Sequence, residues 1–130
     1  MSFASTKIEC DQFIARPPAA VWRALTEPDL LASWWAPGDI KPIVGHRFTM
    51  DMGEWGRQSC EVLEVEPERL LSYTFAEGVL NTTITWRLEP EGAGTRLFLV
   101  HDGFAPGSQA LEGMGNGWPG ILAHLAVVIP

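Results

Sequence analysis

From residue 117 to residue 130 every position is apolar, glycine or proline, except His124. Wound as a helix, the stretch sets Trp118, Ile121, Leu122 and Leu125 on one stripe and leaves Ala123, Ala126 and Val127 on a smooth, equally apolar opposite side. A helix apolar all round is a buried helix. It falls short of the about 20 apolar residues that a bilayer crossing needs, so no membrane insertion is expected and the burial must come from the rest of the chain or from a second copy. Ser108 is placed to cap a helix running in through Leu111 and Met114, although Gly113, Gly115 and Gly117 weaken it and Pro119 should kink it.

Upstream the pattern changes. Residues 6–15 alternate Ile8 and Cys10 with charged Lys7, Glu9 and Asp11, which predicts a half-buried strand. Pro18 suits the first turn of a short helix over 19–25 that buries Val21, Trp22 and Leu25, and Pro28 opens a second over 29–35 that ends at Ala36-Pro37-Gly38. From Gly45 the period is two, with Phe48, Met50 and Met52 on one face and a turn at Gly53-Glu54-Trp55-Gly56. In the next strand, 57–66, Cys60 and Val62 fall on one face and Leu63 and Val65 on the other, a one-residue slip that predicts a bulge where the sheet bends. Strands over 70–76, 80–88 and 95–101 follow. The second of these is a clean alternation of Leu80, Thr82, Ile84, Trp86 and Leu88 against polar residues; the third sets Leu97, Leu99 and His101 on one face, and 90–94 reads as the turn between them. Strands joined by short turns, with no helix between them, make an antiparallel meander. The fold class is α+β: a sheet curled around the terminal helix, with the space between them as the functional part.

At 130 residues the chain is expected to be one domain, residues 1–130. Six tryptophans are unusual, since each buried aromatic removes about 150 to 250 Å² from water, so together they fill a large core or line a cavity. Trp34 and Trp35 plug one end of the sheet or gate a pocket, and Trp55, at a hairpin tip, is a candidate contact for a ligand or a second subunit. A formal charge of -7 with scattered basic residues argues against nucleic acid. The early charges at Lys7, Glu9 and Asp11 fit neither a signal peptide nor a transit peptide, so the expected location is cytoplasmic. Cys10 and Cys60 lack partners at metal-ligand spacing and read as small buried hydrophobes.

Several segments together resemble one family. Arg16-Pro17-Pro18-Ala19-Ala20-Val21-Trp22, Trp34-Trp35, Gly45 with Phe48, Glu64-Val65-Glu66-Pro67, Gly94-Thr95-Arg96-Leu97, His101-Asp102-Gly103-Phe104 and Gly117-Trp118 are similar to the AHSA-type family, named after the activator of the 90-kDa heat-shock-protein ATPase. The resemblance spans nearly the whole chain. It implies the helix-grip fold of the START/Bet v 1-like (SRPBCC) superfamily: a curved antiparallel sheet closed around a long C-terminal helix, with two short helices after the first strand. In that fold Cys10 lies on the first strand and Cys60 on the third, with the second expected between them, too far apart for a disulfide.

Three functions follow. The first is binding of a small hydrophobic molecule, aromatic or lipid-like, in an enclosed cavity between sheet and helix, with Met50, Trp55, Tyr73, Trp86, Leu97, Leu99, His101, Trp118, Leu122 and Leu125 as ligand-binding residues. The second is a protein-interaction module, through Trp55 or the short helices, with a chaperone ATPase as the partner that the resemblance implies; a homodimer is also favoured by the apolar terminus and Trp55. The third is an enzyme such as a cyclase, dehydratase or hydrolase with His101 as catalytic acid or base, oriented by a carboxylate among Asp51, Glu54, Glu61 and Glu77 and aided by Tyr73 as a phenol donor. Against that role, an inward histidine at a strand end commonly serves only to hold a loop by hydrogen bonding to backbone. His46, His101 and His124 share no ligand spacing, so no metal site is expected, and no phosphate loop or nucleophile elbow calls for a cofactor.

Overall fold

The computed structural model describes residues 6–130. In chain order these form β1 (Ile8–Ile14), α1 (Pro18–Thr26), α2 (Pro28–Trp34), β2 (Arg47–Asp51), β3 (Arg57–Glu66), β4 (Leu70–Phe75), β5 (Thr82–Glu91), β6 (Gly94–Asp102) and α3 (Gln109–Val128). All strand pairs are antiparallel, in the order β1-β6-β5-β4-β3-β2, so the meander runs from β2 to β6 and β1 closes onto its last strand. This is the helix-grip arrangement: α3 packs against β1 and α2, and α1 against β5 and β6.

The sheet order corrects one expectation. Cys10 and Cys60 are separated by β6, β5 and β4 rather than by β2, and both are free thiols. The chain returns to its first strand only after the meander is complete, which no local pattern reveals.

Alternation sets the inner face. Pairings such as Ile8 with His101, Trp86 with Leu99 and Met50 with Gln58 put Ile8, Met50, Tyr73, Phe75, Ile84, Trp86, Leu97, Leu99 and His101 on the concave side, all buried. The slip in β3 is a bulge: register shifts between Val62 and Glu64, Leu63 is left 41% exposed, and Val65 returns to the inner face opposite Leu71. The β5–β6 connection is tighter than expected. Glu91 pairs with Gly94, so both strands run to a short turn at Gly92, whose φ of 58° suits glycine, and Pro90 lies within the strand. Leu80 lies outside β5, in the turn after β4.

α3 is capped as expected, with the Leu111 N–H donating to Ser108 Oγ at 3.2 Å, and it continues through Pro119 to Val128. Its inner stripe of Trp118, Leu122 and Leu125 is buried, whereas Val127 is exposed, so the helix is sunk on one face only.

Between α2 and β2 the chain runs back along the edge of β2 as a strap. Asp51 N–H donates to the Pro37 carbonyl at 2.8 Å, Thr49 N–H donates to Asp39 Oδ1 at 3.1 Å, and Gly38 bridges to Met50. The unpaired edge of β2 is thereby covered. A Cβ on Gly38 would sit 2.5 Å from Met50 Sδ and 2.9 Å from the Thr49 carbonyl oxygen. Gly38→Ala is therefore expected to lower stability by about 1 to 3 kcal/mol, read as a lower urea midpoint; an unchanged midpoint would show that the strap does not press on β2.

Candidate functional site

The interior between sheet and α3 is assembled from three directions. The pleat of β4, β5 and β6 points Tyr73, Phe75, Trp86, Leu97, Leu99 and His101 at the helix; α3 returns Trp118, Leu122 and Leu125; the end of α2 adds Trp34 and Trp35. The tryptophans meet as a cage. The Trp35 ring centre lies 4.9 Å from that of Trp118, 5.8 Å from Phe75, 6.0 Å from Trp34 and 6.5 Å from Trp86, while Trp86 meets Trp34 and Trp118 edge-on at 5.8 and 5.6 Å. Edge-to-face contacts at these distances are favourable beyond the area they bury. The enclosed cavity expected here is thus filled by side chains, chiefly because Trp35, just past the end of α2, turns its indole inward.

Polar edges inside this cluster need partners, and His101 supplies the central one. Thr82 Oγ1 donates to the Phe75 carbonyl at 3.1 Å and so accepts from His101 Nε2–H at 2.8 Å, which leaves Nδ1 to accept from Trp118 Nε1–H at 3.1 Å. The hydrogen-bond pattern fixes the neutral tautomer with the proton on Nε2. Desolvation by burial pushes the imidazole pKa down to about 4, against a smaller upward pull from Asp102. No carboxylate orients the ring. Asp51 accepts from the Gly53 N–H, Glu61 and Glu77 pair with Arg47, and Glu54 lies exposed in the Gly53–Trp55 turn. Both ring nitrogens are already engaged, so His101 acts on its neighbours' positions rather than on a free proton.

Other indoles are satisfied in the same way: Trp34 Nε1–H donates to the Ala24 carbonyl at 2.9 Å and Trp86 Nε1–H to Tyr73 Oη at 3.0 Å. Two donors are not. Trp35 Nε1 is buried without a partner although its side chain is only partly buried, and the Tyr73 hydroxyl accepts from Trp86 while its own proton meets no acceptor among the described residues. Burial, which raises the Tyr73 pKa, keeps it a neutral phenol; it also pushes the Cys60 thiol up to about 12.

Of the residues singled out in the sequence, nine share this interior: Met50, Tyr73, Trp86, Leu97, Leu99, His101, Trp118, Leu122 and Leu125. Trp55 does not; it stands 75% exposed at the β2–β3 tip. Four contributors were absent from the expected ligand-binding residues: Phe75 is tilted against Trp35, Thr82 holds His101, and Trp34 and Trp35, read in the sequence as plug or gate, stand within the cage. Thr82 carried a signal, being the one hydroxyl in an otherwise apolar inner row.

Two open grooves lie outside. One of about 340 Å³ runs past Pro28, Pro37, Asp39 and Arg57, beside the strap, and one of about 480 Å³ past Pro18, Pro67, Leu88 and Pro90. No group of three or more His, Cys, Asp or Glu able to hold a metal occurs among the described residues, and no helix there is long and apolar enough to cross a membrane.

Known proteins share this fold. The family model described as Activator of Hsp90 ATPase homolog 1-like protein matches residues 15–129. Protein MLL2253 from Mesorhizobium loti is 38% identical, with 93% of this chain and 94% of that one covered and a TM-score of 0.86. Protein BH1534 from Bacillus halodurans is 25% identical over 99% of this chain and all of its own, with a TM-score of 0.87. The Aha1 dimer from Colwellia psychrerythraea is 20% identical, with 95% of each chain covered and a TM-score of 0.84, a likeness of fold. The chain has no match among the curated proteins.

The histidine predicts a pH dependence. Below about 6.5 the unfolded chain takes up a proton that the folded one refuses until about pH 4. The stability that neutral His101 contributes is therefore complete above pH 6.5 and lost as the pH falls toward 4, a change of about 3 kcal/mol. Urea midpoints of the protein and of His101→Gln should diverge at pH 7 and converge near pH 4; parallel curves would refute the assignment.

Proposed function

Because the chain belongs to the family of Activator of Hsp90 ATPase homolog 1-like proteins, within the START/Bet v 1-like superfamily, we propose that it binds one small hydrophobic molecule between sheet and α3. The molecule takes the place that Trp35 fills when the site is empty. One observation carries this reading: an indole that remains partly exposed is inserted among Trp34, Phe75, Trp86 and Trp118 with its N–H unbonded. Burying about 150 Å² of an indole that stays partly exposed is worth roughly 4 kcal/mol at about 25 cal/mol per Å², while its orphaned N–H costs about 1 to 3. The wedge is held by a net of about 1 to 3 kcal/mol, within reach of a ligand. Tyr73, Trp86, Trp118 and Leu122 serve as walls, and His101 fixes Trp118.

A second reading rests on Trp55, whose 75% exposure favours contact with another protein. The partner is either a chaperone ATPase, in keeping with the family's description, or a second copy, as in the Colwellia dimer. If so, Trp55→Ala abolishes that contact in sedimentation or ATPase-stimulation assays and leaves ligand binding untouched.

Binding is tested by titrating indane, a compact fused-ring hydrocarbon, and following tryptophan emission. Trp35→Ala, which removes the competing side chain, is expected to tighten binding about 5- to 100-fold. If indane and its ketone, 1-indanone, leave both proteins unaffected, the reading fails.

A further inference from the structure

We propose that the exposed face of α3 is a docking surface for a second copy of this chain, the two helices packing antiparallel about a two-fold axis level with Trp118. The contact stands apart from the bound molecule and from the Trp55 contact proposed above, and neither of those has to hold for it.

In its 20 residues α3 carries two ionisable side chains, Glu112 and His124, both exposed. The other outward positions are uncharged: Asn116, Gly120, Ala123 and Val127 run along the centre of the face, and Val127 is 81% exposed. The outer face of a surface helix ordinarily carries charged and polar residues. This one is smooth, and the fold itself does not ask for the smoothness. A side chain at Gly113, Gly117 or Gly120 would meet nothing within 4 Å, while each glycine weakens the helix relative to alanine. What such residues supply on an outer face is close approach, with room for a second helix axis at or inside the usual spacing of about 8 to 10 Å.

Symmetry and charge select the occupant. A face that binds its own copy has to be self-complementary about a two-fold axis. Glu112 and His124 each stand six residues from Trp118, on opposite flanks of the face, so an antiparallel pairing centred there sets each Glu112 level with the partner's His124. Gly113 then lies level with the partner's Ala123, and Asn116 with the partner's Gly120. The crossing of about −50° at which the i±4 rows of two helices interlock swings each Glu112 across toward the partner's His124. Both ends of the contact thus join a carboxylate acceptor to an imidazole donor, whereas a parallel pairing would oppose Glu112 to its own copy. At a formal charge of -7 two copies repel, and this strip is where they approach at least cost. From Glu112 to Val127 it runs about 22 Å at about 1.5 Å per residue. A helix face of that length buries less than the about 800 Å² per partner of a standard interface, which sets a weak dimer, with a Kd on the order of 10 to 100 μM.

Sedimentation equilibrium of the full chain, from about 1 μM to about 1 mM, should show a monomer–dimer equilibrium. Gly120→Leu is expected to weaken it at least about tenfold while the urea midpoint stays the same or rises, because the new side chain enters open space and favours helix. Glu112→Lys should weaken it about five- to thirtyfold, and adding His124→Glu, which exchanges the two partners, should restore it. A protein that stays monomeric at the highest concentration, a dimer that Gly120→Leu leaves intact, or a charge exchange that fails to restore association overturns the proposal. So does loss of the dimer in Trp55→Ala, which would place the contact at the β2–β3 tip.

Discussion

An indole is taken out of water cheaply only where its N–H finds an acceptor inside, and for Trp118, the indole that α3 brings to the sheet, that acceptor is one neutral imidazole. Trp118 donates to His101, His101 to Thr82, and Thr82 to the Phe75 carbonyl, a chain of three hydrogen bonds that runs from α3 across β6 and β5 to β4. Each bond is worth only about 1 kcal/mol when made, but a buried donor left without its acceptor costs about 1 to 3. The penalty for breaking the chain therefore exceeds the gain from making it. That asymmetry fixes the rotation of α3 about its axis, because Trp118 must face Nδ1, and with it the placement of Leu122 and Leu125 on the sheet.

Trp35 is the exception inside this well-satisfied network, and its surroundings are softer than the rest of the core. It follows the last residue of α2, where the backbone leaves helical values, and it rests against the half of α3 that carries Gly113, Gly115 and Gly117. A side chain at Gly113, Gly117 or Gly120 would meet nothing within 4 Å, so packing does not require glycine at those positions. Each costs about 1 kcal/mol of helix stability relative to alanine. A helix loosened without steric need, next to an indole whose buried N–H has no partner, concentrates the low-stability part of the molecule at the cage. The convex side of the sheet shows no such softness: there Arg96 ties Asp11 to Glu91 and lies over the ring of Phe13.

Much of this was legible in sequence, and what was not has definite causes. Period-two alternation in Leu97, Leu99 and His101 placed the histidine inside, and the slip between Val62 and Leu63 located the bulge, because side-chain parity is a local property that the backbone enforces. Ser108 was recognisable as a cap for the same reason. The position of β1 beside β6 was not legible, since it depends on which edge of the finished sheet is free. Nor was the filling of the interior. Trp34 and Trp35 could be read as plug or gate from their place after a short helix, but which of two adjacent indoles turns inward unbonded depends on the Ala24 carbonyl, ten residues upstream, being within reach of Trp34 alone.

The same arithmetic bears on what kind of work the interior can do. Acid–base catalysis near neutral pH needs a group whose two protonation states lie close in energy. Here burial drives the three titratable side chains the other way: His101 holds a proton on one nitrogen only and accepts a second only near pH 4, Cys60 releases its own only near pH 12, and Tyr73 is pushed further from ionisation still. The charge that would make the site reactive has been excluded by the very dehydration that brings the rings together. What is left is a set of fixed dipoles and ring faces, held in place by the Trp118–His101–Thr82 hydrogen bonds.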